Sequence, residues 1–242
     1  MEDYQNFIEN MEKNLQLSWE VHRQAFGSII EPAFSEDPSA RLMLIKALNY
    51  ISTRDIRNGM ELLKEIRRFC TCDDDLAAWM FFVGVCFDMS GDKKHMIEWY
   101  EKAEKTGHRF YLPYMKLAKE YRNSASFEKA AKYYEISVEC LMEMPEIDRD
   151  DAVVASAYTN MASCYTMLHM YNEAEKAWKS AMQYKLQPGS EAVAAVLYAA
   201  MGNEEHAKMY IDKLKKASSP LAEQTQRAVQ QIIDGTHPDF KA

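Results

Sequence analysis

The residues best suited to covalent or metal chemistry are dispersed along this chain. Cys70 and Cys72 form a Cys-x-Cys pair that could bind a soft metal, but no second pair follows at the spacing of a zinc site. Cys164 and His169 are five residues apart, which places them on different faces of a helix and not in a nucleophile–base pair. The six histidines are scattered: His22, His95, His108, His169, His206 and His237. We therefore predict no catalytic residue, no metal site and no cofactor, and we expect that the protein is not an enzyme.

One group of basic residues does recur at a regular spacing. Lys116, Lys119 and Arg122 are three residues apart and Asn123 follows them, so a helix would present them on one face. The chain as a whole carries a net charge of −8. The simplest interpretation is a solvated helix face. The alternative is a surface for an acidic peptide or chain terminus, to which binding would weaken as the salt concentration rises.

The elements that position these residues are pairs of short helices, and their pattern recurs along the chain. In residues 76–107, Phe87 is followed nine positions later by Met96, and then by Tyr100 and Ala103 at steps of four and three. The triplet Ser90-Gly91-Asp92 separates the two helices. Aromatic anchors of the same kind are Tyr50, Phe87, Tyr121, Tyr165 and Tyr198. The inner positions that follow them are Gly59, Leu63, Ile66; Met96, Tyr100, Ala103; Ala130, Tyr134, Ser137; Ala174, Trp178, Ala181; and Ala207, Ile211, Leu214. A small residue also stands three positions before each anchor: Ala47, Gly84, Ala118, Ala162 and Ala195.

The spacing of the anchors and two stretches of sequence resemble the tetratricopeptide repeat (TPR) family. Phe87 and Tyr121 are 34 residues apart, which is the period of that family, and Tyr165 and Tyr198 are 33 apart. The resemblance covers about residues 40–217 and is strongest in FFVGVCFDMSGDKKHMIEWYEKA and YTNMASCYTMLHMYNEAEKAWKSAM. It implies an all-α, right-handed superhelix of about five helix hairpins. The implied units lie near 40–73, 77–110, 111–144, 155–188 and 188–217.

The segments on either side of the repeats are also expected to be helical. Residues 1–37 carry an apolar stripe over residues 3–30 followed by a linker, and residues 38–217 form the repeat array. Residues 218–242 supply a capping helix, predicted over 220–234, and a tail. Its inner side is predicted to carry Leu221, Val229, Ile232 and Ile233.

Family geometry implies which residues face the concave groove formed by the first helices. The implied partner-binding residues are Phe81, Phe82, Lys116, Lys119, Arg122, Asn123, Thr159, Asn160 and Ser163. At the apolar end, Phe81 and Phe82 either receive a partner's side chains or are covered by the N-terminal helix. The second interpretation is favoured because a large exposed apolar patch is a liability. The family's carboxylate clamp is not expected, because Phe81 and Val85 occupy the positions of its Lys and Asn.

Composition restricts the partners and the compartment. The net charge of −8 argues against a general nucleic-acid binder. The five cysteines have irregular spacings, as in proteins of a reducing compartment. Because no signal peptide and no long apolar run occur, we expect a cytoplasmic protein without a membrane partner.

The expected function is therefore that of a non-catalytic scaffold or adaptor. Its groove would bind a peptide or helix of another protein, and an acidic partner is the alternative that the basic residues of 116–122 leave open. The alternative is a peptide-sensing regulatory domain of a bacterial signalling system, acting through a separate subunit because residues 1–37 are too short and acidic for a DNA-binding domain. A homodimer formed through Met-rich helix faces is a further alternative.

Overall fold

The computed structural model describes residues 17–23, 26–27, 29–107 and 110–240, and in these residues the regular structure is entirely helical. The helices are α1 (Pro38–Ser52), α2 (Ile56–Ile66), α3 (Asp73–Met89), α4 (Lys93–Glu104), α5 (Tyr111–Asn123), α6 (Phe127–Glu143), α7 (Asp151–Met167), α8 (Tyr171–Ala181), α9 (Glu191–Ala200), α10 (Glu204–Lys216) and α11 (Ala222–Ile233). Residues 17–23 are helical as well. The chain divides into two compact units, Met1–Pro113 and Tyr114–Ala242.

The helices pack as consecutive pairs, and the pairs bury the residues that the repeated pattern predicts. α1 packs on α2, α3 on α4, α7 on α8 and α9 on α10. All fifteen predicted inner positions of the second helices are buried, as are the five small residues on the first helices. The all-α prediction and the register of the hairpins are thus confirmed.

Each of the five hairpins closes with the same turn. The backbone carbonyl of the aromatic anchor accepts a hydrogen bond from the N–H five positions later, at 2.8–3.0 Å. The residue before that donor has a positive φ in every case: Arg54, Gly91, Ala125, His169 and Gly202, with φ between 57° and 79°. This is the geometry of a Schellman turn, which satisfies carbonyls at the end of a helix.

The last residue of each turn also begins the second helix. The side chains of Asp55, Asp92 and Asn203 accept a hydrogen bond from a backbone N–H in the first turn of α2, α4 and α10. Ser126 and Met170 occupy the same position without a side-chain cap. One residue therefore ends one helix and starts the next, so the connection between the helices stays short.

Gly84 allows close packing inside the hairpin of α3 and α4. A Cβ at this position would lie 2.5 Å from Cε1 of Tyr100 and 2.7 Å from its Cδ1. The Tyr100 side chain is fully buried. The aromatic ring therefore occupies the space that any larger residue at 84 would need.

A buried carboxylate joins the start of α3 to the chain before α1. Asp75 is 4% exposed, and its Oδ1 accepts a hydrogen bond from the Phe34 N–H at 2.7 Å. Its Oδ2 accepts from the N–H and hydroxyl of Thr71 at 3.0 and 3.1 Å. Burial raises the pKa of the Asp75 carboxyl, but the hydrogen bonds from Thr71 and Phe34 outweigh it, so the pKa lies below its usual value.

The N-terminal segment packs on α1. The Arg41 guanidinium lies 4.0 Å from the centre of the Trp19 ring, a cation–π contact. His22 Nε2 lies 2.8 Å from Asn49 Oδ1. The part of the predicted N-terminal helix that precedes residue 17 lies outside the described residues.

The fourth hairpin's second helix, α8, ends at Ala181, and the ring of Tyr184 then stacks on Tyr158 at 6.2 Å.

The capping helix differs from its prediction over 220–234 in where it begins and in the burial of two of its predicted inner residues. In α11, Val229 and Ile232 are buried as predicted, but Leu221 and Ile233 are 40% and 38% exposed. The helix begins only at Ala222, and Leu221 instead lies against Gly189.

Candidate functional site

The two phenylalanines at the apolar end of the predicted groove lie in the core of the first unit. Phe81 is 1% exposed and Phe82 is fully buried. The ring of Phe26 lies 5.4 Å from that of Phe82 and 6.2 Å from that of Phe81, in edge-to-face contact. This contact is the one that the covering interpretation predicts. Phe81 also stacks on Tyr100 at 5.5 Å, so it is a core residue of the hairpin and is not exposed to a partner as predicted.

The basic residues of α5 lie on the face opposite its core contacts. Leu117 and Ala118 are buried, which turns the other side of the helix toward solvent. Lys119 is exposed, and Arg122 is half-buried at the C-terminal end of the helix. The two remaining predicted residues of this helix are Lys116, which is half-buried, and Asn123, which is exposed.

Arg122 joins the faces of α5 and α7. Its Nη1 donates a hydrogen bond to Oδ1 of Asn160. The Asn160 amide is itself fixed, because its Nδ2 donates to the Ser156 carbonyl at 2.9 Å and to the Ser156 hydroxyl at 3.3 Å. The guanidinium is therefore held in one place by a neutral group.

No carboxylate pairs with Arg122 among the residues that the structure describes. Two titratable groups lie near it in the core. Burial raises the pKa of Tyr134 to about 12 and that of Cys164 to about 11, while the positive charge of Arg122 acts in the opposite direction. Both groups are neutral at pH 7, so neither compensates the charge of Arg122.

An apolar cleft lies between the first helices α7 and α9, and it begins one helical turn beyond Asn160. It has a volume of about 200 Å³ and is lined by Ser163, Thr166, Met167, Ala192, Val193 and Val196. Thr166 is 2% exposed and donates its hydroxyl to the Ala162 carbonyl at 2.8 Å, so it adds little polarity. Ser163 follows Asn160 by one helical turn, and the cleft therefore continues the surface that begins at Arg122.

Thr159 is the predicted groove residue of the second unit that does not reach the surface. It is 6% exposed, and in the described part of the chain its Oγ1 has no hydrogen-bond partner. Its neighbours on α7, Val154, Ala155 and Ala162, are also buried. The structure thus joins Arg122 to Asn160, places Ser163 one helical turn farther along α7 and leaves Thr159 in the interior.

The α9 side of the cleft did not figure among the predicted residues. In the last predicted repeat, which starts at residue 188, the fifth, sixth and ninth residues are Ala192, Val193 and Val196. The resemblance to the TPR family implies that residues at these positions of a repeat unit face the groove, so the same rule applied to the last repeat unit would have included them among the predicted residues.

A larger cavity of about 530 Å³ lies at the end of the second unit. Its polar lining includes His169, Tyr171 and Glu204, and Phe240 of the C-terminal tail closes one side. His169 Nδ1 lies 2.9 Å from the Tyr171 hydroxyl. Burial raises the pKa of Tyr171, so this hydroxyl is neutral at pH 7 and is a poor nucleophile.

The described residues contain neither a group of metal ligands nor a helix that could span a membrane. No three His, Cys, Asp or Glu side chains there are grouped as metal ligands would be. None of the helices in this part of the chain has both the length and the apolar character needed to cross a bilayer. In comparisons with known proteins, no protein-family model matches the chain and no curated protein is significantly similar to it.

Proposed function

We propose that this protein is a non-catalytic scaffold of the TPR family, in which the hairpins stack into a right-handed superhelix. The support is the recurrence of one unit. The same buried register, the same left-handed turn residue and the same shared cap position occur in all five hairpins. A chain built from such units offers its first helices as a continuous surface for another protein.

The observation that carries the proposed function is the open cleft between α7 and α9. Val193 and Val196 are only half-buried there, and on α7 the groove begins at Ser163, one helical turn beyond Asn160, the hydrogen-bond partner of Arg122. Among the described residues, no segment of the chain lies in this groove as Phe26 lies on Phe81 and Phe82. We infer that a peptide or helix of another protein fills it.

The protein is further proposed to act in the cytoplasm. All five cysteines are free thiols, three of them buried in helices. Free buried cysteines are common where glutathione keeps thiols reduced.

A peptide-display experiment tests the function. Random peptides would be selected on the immobilised full-length protein, and the affinity of the selected peptides would be measured by fluorescence anisotropy. The Val196→Arg variant, which fills the cleft, should weaken binding at least tenfold. The control is Met209→Arg, because Met209 is 40% exposed on α10 and outside the cleft. Failure to enrich any peptide, or equal loss in both variants, would contradict the proposal.

A further inference from the structure

We propose that the bound segment presents a carboxylate to Arg122 and, two or three residues away, an aliphatic side chain to the cleft between α7 and α9. This inference rests on the proposed function, because it names the class of segment that the surface of the second unit selects.

Arg122 is suited to bind a carboxylate. A guanidinium has five N–H donors, of which one is directed to Asn160. Asn160 fixes the side chain but contributes no charge, and no carboxylate of the described residues pairs with the guanidinium. A half-buried cation is less screened by water and salt than an exposed one, and Arg can bind a carboxylate through two parallel hydrogen bonds.

Lys119 adds to the positive potential at this end of the surface. It is exposed and lies one helical turn before Arg122 on the same face of α5. In a chain of net charge −8, this face differs in sign from the protein as a whole. An acidic residue of the partner is therefore attracted to this end of the surface.

The cleft suits one aliphatic side chain. Its volume of about 200 Å³ is below the roughly 300–1,000 Å³ typical of small-molecule pockets. Four of its six lining residues are apolar, namely Met167, Ala192, Val193 and Val196. Burial of a Leu or Met side chain there would contribute through the hydrophobic effect.

The positions of the two sites set the spacing in the ligand. Along α7, Ser163 lies about 4.5 Å and Met167 about 10.5 Å beyond Asn160, at 1.5 Å per residue. An extended peptide advances about 3.3 Å per residue. The carboxylate and the aliphatic side chain are therefore about two or three residues apart in the bound segment.

The test uses synthetic peptides of one Asp and one Leu separated by zero to five Ser residues, titrated into the full-length protein at low salt. Affinity should be highest with one or two intervening residues, and it should fall at least tenfold for Leu→Ser. For Asp→Asn it should fall about tenfold with the wild-type protein, but hardly at all with Arg122→Gln. Flat affinity across the spacings, or an equal effect of Asp→Asn in both proteins, would overturn the inference.

Three further variants separate the possible failures. Arg122→Lys keeps the positive charge, so this variant should still bind the Asp peptide more tightly than the Asn peptide, though by a smaller factor. Lys119→Gln changes an exposed side chain, so it should lower the affinity about threefold without a change in the circular dichroism spectrum. Arg227→Gln, an exposed cation on α11, is the control and should have no effect. If selected peptides bind and Val196→Arg abolishes binding, but Asp→Asn has no effect, only this inference fails. If neither these peptides nor a random library binds, the proposed function fails with it.

Discussion

Each hairpin turn contains one residue in the left-handed backbone conformation, and this residue is glycine at some turns and a residue with a side chain at others. Exchanging glycine and alanine at this position should therefore change the stability of the protein in opposite directions at two of the turns. Gly202 has a φ of 74° and Ala125 a φ of 57° at equivalent positions, after α9 and after α5. Gly202→Ala should destabilise the protein, and Ala125→Gly should stabilise it. The reason is that the left-handed conformation is unfavourable for any residue with a Cβ.

The expected magnitude follows from the surroundings of each site. A Cβ at Gly202 would meet nothing within 4 Å, so the substitution introduces backbone strain without a clash. The left-handed conformation costs an L-residue about 1–2 kcal/mol, and the greater freedom of unfolded glycine offsets about 0.5–1 kcal/mol of it. We therefore expect Gly202→Ala to lower, and Ala125→Gly to raise, the free energy of unfolding by about 1 kcal/mol or less.

Urea unfolding followed by circular dichroism measures both variants, and thermal unfolding should show shifts of up to about 2–4 °C in Tm. The control is Ala228→Gly in α11, where a glycine inside an ordinary helix should cost about 1 kcal/mol. If Ala125→Gly lowered stability as much as Ala228→Gly does, the left-handed turn after α5 would not exist in solution.

Three other perturbations test separate contacts. Gly84→Ala should destabilise the protein by about 1–3 kcal/mol, because its Cβ would collide with the buried Tyr100 ring, and the loss should be smaller in a Tyr100→Leu background. Asp75→Asn should lower stability by roughly 1–3 kcal/mol. Because the folded pKa of Asp75 is depressed, the wild-type advantage should be complete above about pH 4 and should shrink as the pH falls further, as a series of urea titrations would show. In thiol titration of the native protein, the exposed Cys72 should react fast. Burial raises the pKa of Cys86 to about 12, so this thiol should react only when the protein unfolds. Fast reaction of a Cys72→Ser variant would contradict this expectation.

The repeated register could be predicted from the sequence because it depends on contacts that are close along the chain. The steps from Phe87 to Met96, Tyr100 and Ala103 lie within one hairpin, and helical periodicity alone defines their common face. The left-handed turn could be predicted where glycine marks it, as at Gly91. At Ala125 and His169 the residue type carries no such signal, since the surrounding hairpin imposes the conformation.

Contacts between distant segments were not predictable in the same way. Nothing in the sequence pairs Asp75 with the Phe34 N–H, 41 residues earlier. The hydrogen bond from Arg122 to Asn160 depends on how two successive hairpins pack. The sequence indicates only where each of these residues lies on its own helix. Thr159 shows the limit of positional rules, because a small polar residue at a groove position can turn into the core between neighbouring helices.

The most direct test of the account is a map of the bound surface. Backbone amide resonances of the isotope-labelled full-length protein would be followed by NMR during titration with the tightest selected peptide. The account predicts that the largest shifts occur at Arg122, Asn160, Ser163, Val193 and Val196, with little change on the exposed side of α10 around Met209. Shifts concentrated around Met209, or spread evenly over the chain, would contradict the claim that the protein binds its partner between the first helices of the second unit.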